Sequence, residues 1–326
     1  MTGEPSGRRW RRIGILCGGC ALIVVGLAVF SDAAVLSAIR NRLVVLDADF
    51  TGGVARRVWT GQRLPRLTTQ LRPGAPSSYE WLAGSAFIPI AHGLGPWLED
   101  EPNTMKTFYA GLGRGFRIFE VDLALTRDDS VICYHGAADA QDIDTLTYRG
   151  YLTLMARRGS APCTIRDLVR EARNRPQVRF VLDVKNRFER LYSLVRAAIG
   201  GPELGRQFIP QVYFFEQLAV VRETPFFGGA IFTSYRSALT TRQIFSYASE
   251  LGVKAVTITV ARFERMRTPI PPGLHVFVHP VDDPFVAMKM RSQGVAGIYT
   301  SYVSPMSVPS LFHQPDPRPA GEEKVR

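Results

Sequence analysis

Eight short apolar runs, separated by segments of helical spacing or turn composition, limit what this chain can become. They occupy residues 87–91, 118–123, 179–184, 208–212, 230–233, 255–258, 275–278 and 297–299. Each has the length of a buried strand and ends at polar or turn-forming residues. Between them, residues 104–112, 165–172, 191–199, 241–251 and 284–293 carry apolar side chains at helical spacing. Asn103 is a suitable N-cap for the first of these helices, while Thr164 and Asp167 form a capping-box pattern at the second. Strand alternating with helix implies a parallel sheet, and eight such units predict closure into an α/β (β/α)₈ TIM barrel over residues 85–305. A doubly wound open sheet gives the same alternation. Its usual glycine fingerprint is missing, because Gly111-Leu112-Gly113-Arg114-Gly115 stands at the end of a helical stretch, where glycines cap and turn the chain.

The N-terminal part has another character. Arg8, Arg9, Arg11 and Arg12 precede an uncharged apolar run over residues 13–30. About 18 residues at about 1.5 Å each approach the roughly 30 Å thickness of a bilayer core. The arginines orient such a helix with residues 1–12 in the cytoplasm. The expectation is a single-pass signal anchor in the cell membrane, with the remainder on the extracytoplasmic side. Cleavage near Ser31-Asp32-Ala33 would instead release a secreted protein. Residues 31–84 read as a stalk, and 306–326, rich in proline and charge, as a disordered tail. Cys133 and Cys163 are the cysteines beyond the apolar run; a disulfide and two buried thiols both fit them. The formal net charge of +11 suits an anionic membrane or a phosphate-bearing substrate. With no basic stripe interleaved with aromatics, it argues against nucleic acid as a partner. The sequence leaves the oligomeric state open.

Titratable residues gather where the apolar runs end, the end at which barrel enzymes place their sites. His92 follows the first run. Glu120 and Asp122, spaced i and i+2, share one face of the second. Two carboxylates side by side inside a barrel repel unless a cation lies between them, and oxygen ligands suit Mg²⁺ or Ca²⁺. His135 ends a further extended run over 131–134. Asp183 and Lys185 repeat the i, i+2 spacing at the end of the third barrel strand. Singly, each has a plainer reading as a structural histidine, a solvated strand face or a salt bridge; together at one mouth they suggest a site. His279, after the seventh run, is a candidate for the rim. Tyr213, Phe214 and Phe215 are candidates for the pocket wall, with core packing the plainer reading for at least two.

Ile90-Ala91-His92-Gly93, Glu101-Pro102-Asn103-Thr104, the segment from Gly115 through Phe119-Glu120-Val121-Asp122 to Asp129, and Tyr134-His135 together resemble the opening of a glycerophosphodiester phosphodiesterase. The resemblance continues more loosely through Leu182-Asp183-Val184-Lys185 to Gly294–Thr300. It implies that His92 and His135 are an acid/base pair. It further implies that Glu120, Asp122 and Asp183 hold a divalent cation and that Lys185 binds the phosphate of a small phosphodiester or lipid substrate. Two departures stand out: Gly93 occupies the place of the usual phosphate-binding arginine, and Asp183 that of a glutamate. Both are similar to the sphingomyelinase D-type phospholipases, which implies a lyase forming a cyclic phosphate as an alternative. A catalytically inactive, membrane-tethered binding barrel is a third reading. Val278-His279-Pro280-Val281-Asp282 also replaces the aromatic-Thr-Val-Asn stretch expected there, which implies a different wall against the alcohol part of the substrate.

Overall fold

In the computed structural model, residues 78–83, 87–97, 101–136, 143–222 and 225–312 are described. Nine strands form one sheet: β1 (Ile88–Ala91), β2 (Ile118–Leu125), β3 (Val131–Cys133), β4 (Arg179–Val184), β5 (Phe208–Val212), β6 (Ile231–Thr233), β7 (Ala255–Thr259), β8 (His275–His279) and β9 (Gly297–Thr300). All but β3 pair in parallel, in the order β1-β9-β8-β7-β6-β5-β4-β2, and the pairing of β1 with β2 closes the ring. The result is the (β/α)₈ barrel that the alternation predicts, with each expected run lying on one of its strands.

Strand β2 is longer than its parallel neighbours, and β3 folds back antiparallel along its upper half, with Leu123 opposite Cys133 and Leu125 opposite Val131. The extended run before His135 is therefore a hairpin arm outside the barrel. It rises past the mouth, turns at residues 126–130 and brings His135 back down beside β2. Thr126 and Asp128 hold the turn, the Thr126 hydroxyl donating to the Asp128 carboxylate at 2.6 Å. Cys133 and Cys163 form a disulfide with their Cα atoms 5.2 Å apart, which decides between the two readings of this pair. The buried Tyr151 hydroxyl lies 3.1 Å from the Cys163 carbonyl and 3.3 Å from that of Cys133, tying the hairpin to helix Tyr148–Arg157.

Side-chain alternation sorts the apolar residues into two layers. Ile88 and Ile90, Ile118, Val181, Ile209, Ile231, Ala255, Phe277 and Tyr299 point inward and fill the barrel. The opposite faces, with Phe119, Leu182, Phe232, Val256 and Val278, pack against the helices. Helix Ile165–Asn174 begins as expected, with the Asp167 carboxylate accepting from the Thr164 amide at 3.0 Å. Helix Met105–Gly113 departs from expectation. Its cap is Thr104, paired with Thr107, and Asn103 is freed for another purpose.

Two expected boundaries move. The turn Glu80–Leu82, read as part of the stalk, closes the lower end of the barrel: Tyr79 and Leu82 join the interior cluster, and the Tyr79 hydroxyl donates to the Ala230 carbonyl at 3.0 Å. Below the strands, Pro309–Phe312 is a helical turn with Leu311 buried and Phe312 stacked on Phe87, so the residues read as a tail from 306 on belong to the barrel up to 312. The predicted anchor at 13–30 lies outside the described residues. Among those described, no helix is long and apolar enough to cross a membrane.

The disulfide closes a loop with a sequence separation of 30 residues around the arm that carries His135. Reduction, or Cys133→Ser, is expected to lower stability by about 2–4 kcal/mol. Denaturant unfolding with and without reductant measures this, and an unchanged midpoint would contradict it.

Candidate active site at the barrel mouth

The alternation that fills the barrel also builds its mouth. His92 continues the inward series of Ile88 and Ile90; Glu120 and Asp122 continue that of Ile118; Asp183 and Lys185 continue that of Val181. Across β2 and β4, Asp122 and Asp183 are direct register partners, so their carboxylates start from neighbouring positions on the same face. Oxygens of Glu120, Asp122 and Asp183 all lie within 4.8 Å of one another, and all three residues are buried.

Such a cluster needs compensation. The Lys185 ammonium lies 2.5 Å from Asp122 Oδ1 and 2.8 Å from Asp183 Oδ2. Burial opposes the charge on Lys185, but the two aspartates prevail and hold its pKa well above the usual lysine range. Burial also pushes Asp122 up, yet Lys185, His135 and His92 pull its carboxyl down to about 2. Glu120 goes the other way: burial and the charges of Asp122 and Asp183 raise it well above the carboxylate range, against Lys185 and the Gly93 amide.

Neighbouring groups orient these acids. Asn103, in the left-handed region at φ 63°, donates from Nδ2 to Asp122 Oδ2 at 2.7 Å and accepts the Asp122 amide on Oδ1 at 2.9 Å. Tyr213 donates its hydroxyl to Asp183 Oδ2 at 2.7 Å. Behind Tyr213 runs a buried polar chain. Gln211 donates to the Tyr213 oxygen at 3.2 Å, Tyr299 donates to Gln211 at 3.1 Å, and Thr257 lies 3.3 Å from the Tyr299 oxygen. With Oδ2 held from two sides, Asp183 Oδ1 is buried without a hydrogen-bond partner. An orphaned carboxylate oxygen beside two further carboxylates fits a hard divalent cation.

His92 lies against this cluster, its Nε2 3.9 Å from Glu120 Oε2. Its ring stands edge-on to His279 with centroids 4.5 Å apart, and Trp97 flanks it at 4.9 Å. Burial is the main cause of its lowered pKa, with Asp122 opposing and Lys185 reinforcing the shift. His135 is exposed at the rim, close enough for its charge to act on both Asp122 and His92. All six residues expected from the sequence therefore face one mouth. His279 belongs there too, as the terminal residue of β8 against His92. Of the three candidate wall aromatics, Tyr213 joins the site, whereas Phe215 stacks on Phe232 at 4.1 Å in the core. Sequence reasoning missed Asn103 because a polar residue before a helix reads first as a cap. Gln211 and Tyr235 were also missed. Their only signal is strand parity, which places them inward on β5 and just beyond β6.

Gly93 explains one departure from the resembled pattern. It sits in the left-handed region at φ 59°, and its amide donates to Glu120 Oε2 at 2.9 Å. A Cβ there would stand 2.9 Å from both Pro102 Cβ and Trp97 Nε1. Pro102 is held in place because the Asn103 amide donates to the Gly93 carbonyl at 2.8 Å. No larger side chain fits this position without displacing the loop.

No protein-family model matches the chain, and no curated protein matches it in sequence. Solved structures do. A glycerophosphodiester phosphodiesterase from Parabacteroides distasonis is 18% identical with a TM-score of 0.57, over 67% of this chain and 93% of that one. One from Thermotoga maritima is 15% identical with a TM-score of 0.55, over 69% and 98%. An Oleispira antarctica phosphodiesterase, solved with the product sn-glycerol-3-phosphate, is 15% identical with a TM-score of 0.55, over 72% and 98%.

Two stability measurements probe the site. Gly93→Ala is expected to cost about 1–2 kcal/mol from the left-handed backbone alone, and more from the contacts its Cβ would make. Lys185→Met leaves the acidic cluster unopposed and is expected to cost roughly 3 kcal/mol. Mg²⁺ or Ca²⁺ should restore the Lys185→Met melting temperature. If neither ion did so, the cluster would not be a cation site. With these residues assembled at its mouth, the chain shares the barrel fold of the glycerophosphodiester phosphodiesterases of known structure.

Proposed function

We propose that this protein is a divalent-cation-dependent phosphodiesterase acting on glycerophosphodiester or lysophospholipid-like substrates. The observation that carries this reading is the carboxylate cluster with its orphaned Asp183 oxygen, flanked by His92 and His135 at the mouth of the barrel. Glu120, Asp122 and Asp183 would hold the Mg²⁺ or Ca²⁺. When bound, the cation would neutralise phosphate charge and favour the more highly charged transition state.

The remaining work falls to side chains. Burial keeps the His92 imidazole neutral near pH 7, so it is free to take the proton of the attacking hydroxyl. His135, on the arm outside the barrel, is suited to return a proton to the departing alkoxide. Lys185, held between Asp122 and Asp183, would add a point of positive charge beside the phosphate. Asn103 and Tyr213 keep Asp122 and Asp183 aimed, so little reorganisation accompanies binding. Trp97 and Tyr235 flank His92 and His279 on the β1 and β6 sides of the mouth.

A place of action outside the cytoplasm is the reading we favour, on the apolar run at 13–30 and on Cys133–Cys163. Four arginines before the apolar run at 13–30 suit a membrane anchor with the barrel outside the cytoplasm, and a disulfide suits that oxidising side. Substrates drawn from the outer membrane surface would be within reach.

The test is an assay of the full-length protein, purified in detergent, against a panel of glycerophosphodiesters and lysophospholipids. Activity should disappear with chelator and return with Mg²⁺ or Ca²⁺. His92→Ala and His135→Ala should each lower kcat by about 100-fold or more. A chelator-insensitive background shared by wild type and His92→Ala would refute the enzyme reading. Release of a cyclic phosphate instead of glycerol phosphate would reassign the chemistry to a lyase.

A further inference from the structure

The site as described lacks a cation for its substrate. Once a divalent ion bound and Glu120 ionised against it, Glu120, Asp122 and Asp183 would carry −3 against +1 from Lys185 and +2 from the ion, a sum of zero before a phosphodiester adds its own −1. Lys185 is already committed to two carboxylates, at 2.5 and 2.8 Å. Residue 93 supplies no guanidinium and has no room for one. A further positive group facing the mouth would therefore favour phosphate binding, on the phosphodiesterase reading given above.

The turn after β6 provides it. Arg236 is exposed there, with its guanidinium carbon 4.4 Å from the centre of the Tyr213 ring, and Tyr213 is the residue whose hydroxyl holds Asp183. Among the described residues, Arg236 makes no ion pair and donates no hydrogen bond, in contrast to Arg158, Arg170, Arg187 and Arg190, which pair with nearby acids. A guanidinium held over an aromatic face keeps its N–H groups available to a second partner, which suits two-pronged binding of a phosphate.

Tyr235 precedes it and continues the inward series of Ile231 and Thr233. Its ring lies 5.1 Å from His279 and 6.4 Å from Tyr213, between the histidine side and the carboxylate side of the mouth. The charges of Asp183 and Glu120 reach its hydroxyl, which has no hydrogen-bond partner among the described residues. A phenol so placed has a proton to donate and no acceptor in the protein to take it.

We infer that the turn after β6 is the anion-binding arm of this site, with the Arg236 guanidinium and the Tyr235 hydroxyl donating to the non-bridging oxygens of a bound phosphate. It replaces from the opposite side of the barrel what Gly93 cannot provide. The same charge favours substrates whose phosphate is unshielded over those whose alcohol carries a cationic group close to it.

Titration of the full-length protein with sn-glycerol 3-phosphate in the presence of Mg²⁺, followed by calorimetry, tests this. Arg236→Ala should weaken binding about 10-fold or more, Arg236→Lys should recover part of the loss, and Tyr235→Phe should weaken binding by a smaller factor. Arg170→Ala, which removes the same charge from a distant helix, should change nothing, and Mg²⁺ affinity should be the same in all four variants. Equal affinity in wild type and Arg236→Ala would overturn the inference, as would an equal loss in Arg170→Ala or a wild-type protein that takes up no phosphate. Hydrolysis separates the two readings. Arg236-dependent binding without diester cleavage keeps the anion site and sinks the enzyme, whereas cleavage with kcat/KM unchanged in Arg236→Ala does the reverse.

Discussion

Lys185 among three buried carboxylates is the interaction on which the mouth of this barrel depends. Removing one ammonium and three carboxyl groups from water is costly, and pairing recovers that cost only when geometry is good and the leftover lone pairs are satisfied. The register of β2 against β4 supplies the geometry by setting Asp122 beside Asp183. Asn103, Tyr213 and the Gly93 amide satisfy most of the remaining oxygens. One oxygen of Asp183 is left over. That unmet demand fits a divalent cation better than it fits an ion pair that merely holds strands together.

The supporting groups come from distant parts of the chain. The segment at 101–104 docks on Gly93 and projects Asn103 to Asp122, while Thr104 starts the next helix. Through Tyr213, Gln211, Tyr299 and Thr257, β5, β9 and β7 act on an aspartate of β4. Each is a small polar contact, but in a buried setting each omission would leave a group unpaired. The interior is thus divided by height. Aliphatic and aromatic residues fill the lower layers, a hydrogen-bonded layer lies above them, and the charged residues crown the strands.

The arms around the mouth differ in kind. The β2–β3 hairpin is braced by a disulfide and by Tyr151, which makes it a firm support for His135. The turn after β6 is short and presents its side chains beside the aromatic arc of Tyr213, Tyr235, His279, His92 and Trp97. The closed space at Gly93 and the open guanidinium of Arg236 are complementary. A position that admits no side chain on one wall faces a wall that carries a cation.

Much of this was legible in the residues alone. Apolar runs of strand length, separated by helical periods, determined a parallel sheet buried on both faces and pointed to a barrel, while the pairing of β1 with β2 decided its closure. Period-two spacing likewise determined that Glu120 and Asp122, or Asp183 and Lys185, share a face, since alternation is a local property of extended backbone. Local rules also gave Thr164 and Asp167 as a cap. They misjudged Asn103, because whether a side chain caps a helix or reaches an acid 19 positions away depends on what lies opposite. Only tertiary structure decided that β3 folds outside the ring, that Cys133 meets Cys163, that Gly93 is sealed by Pro102 and Trp97, and that Arg236 stacks on the tyrosine holding Asp183. These are contacts between segments far apart in sequence, and no local periodicity encodes the distance between them.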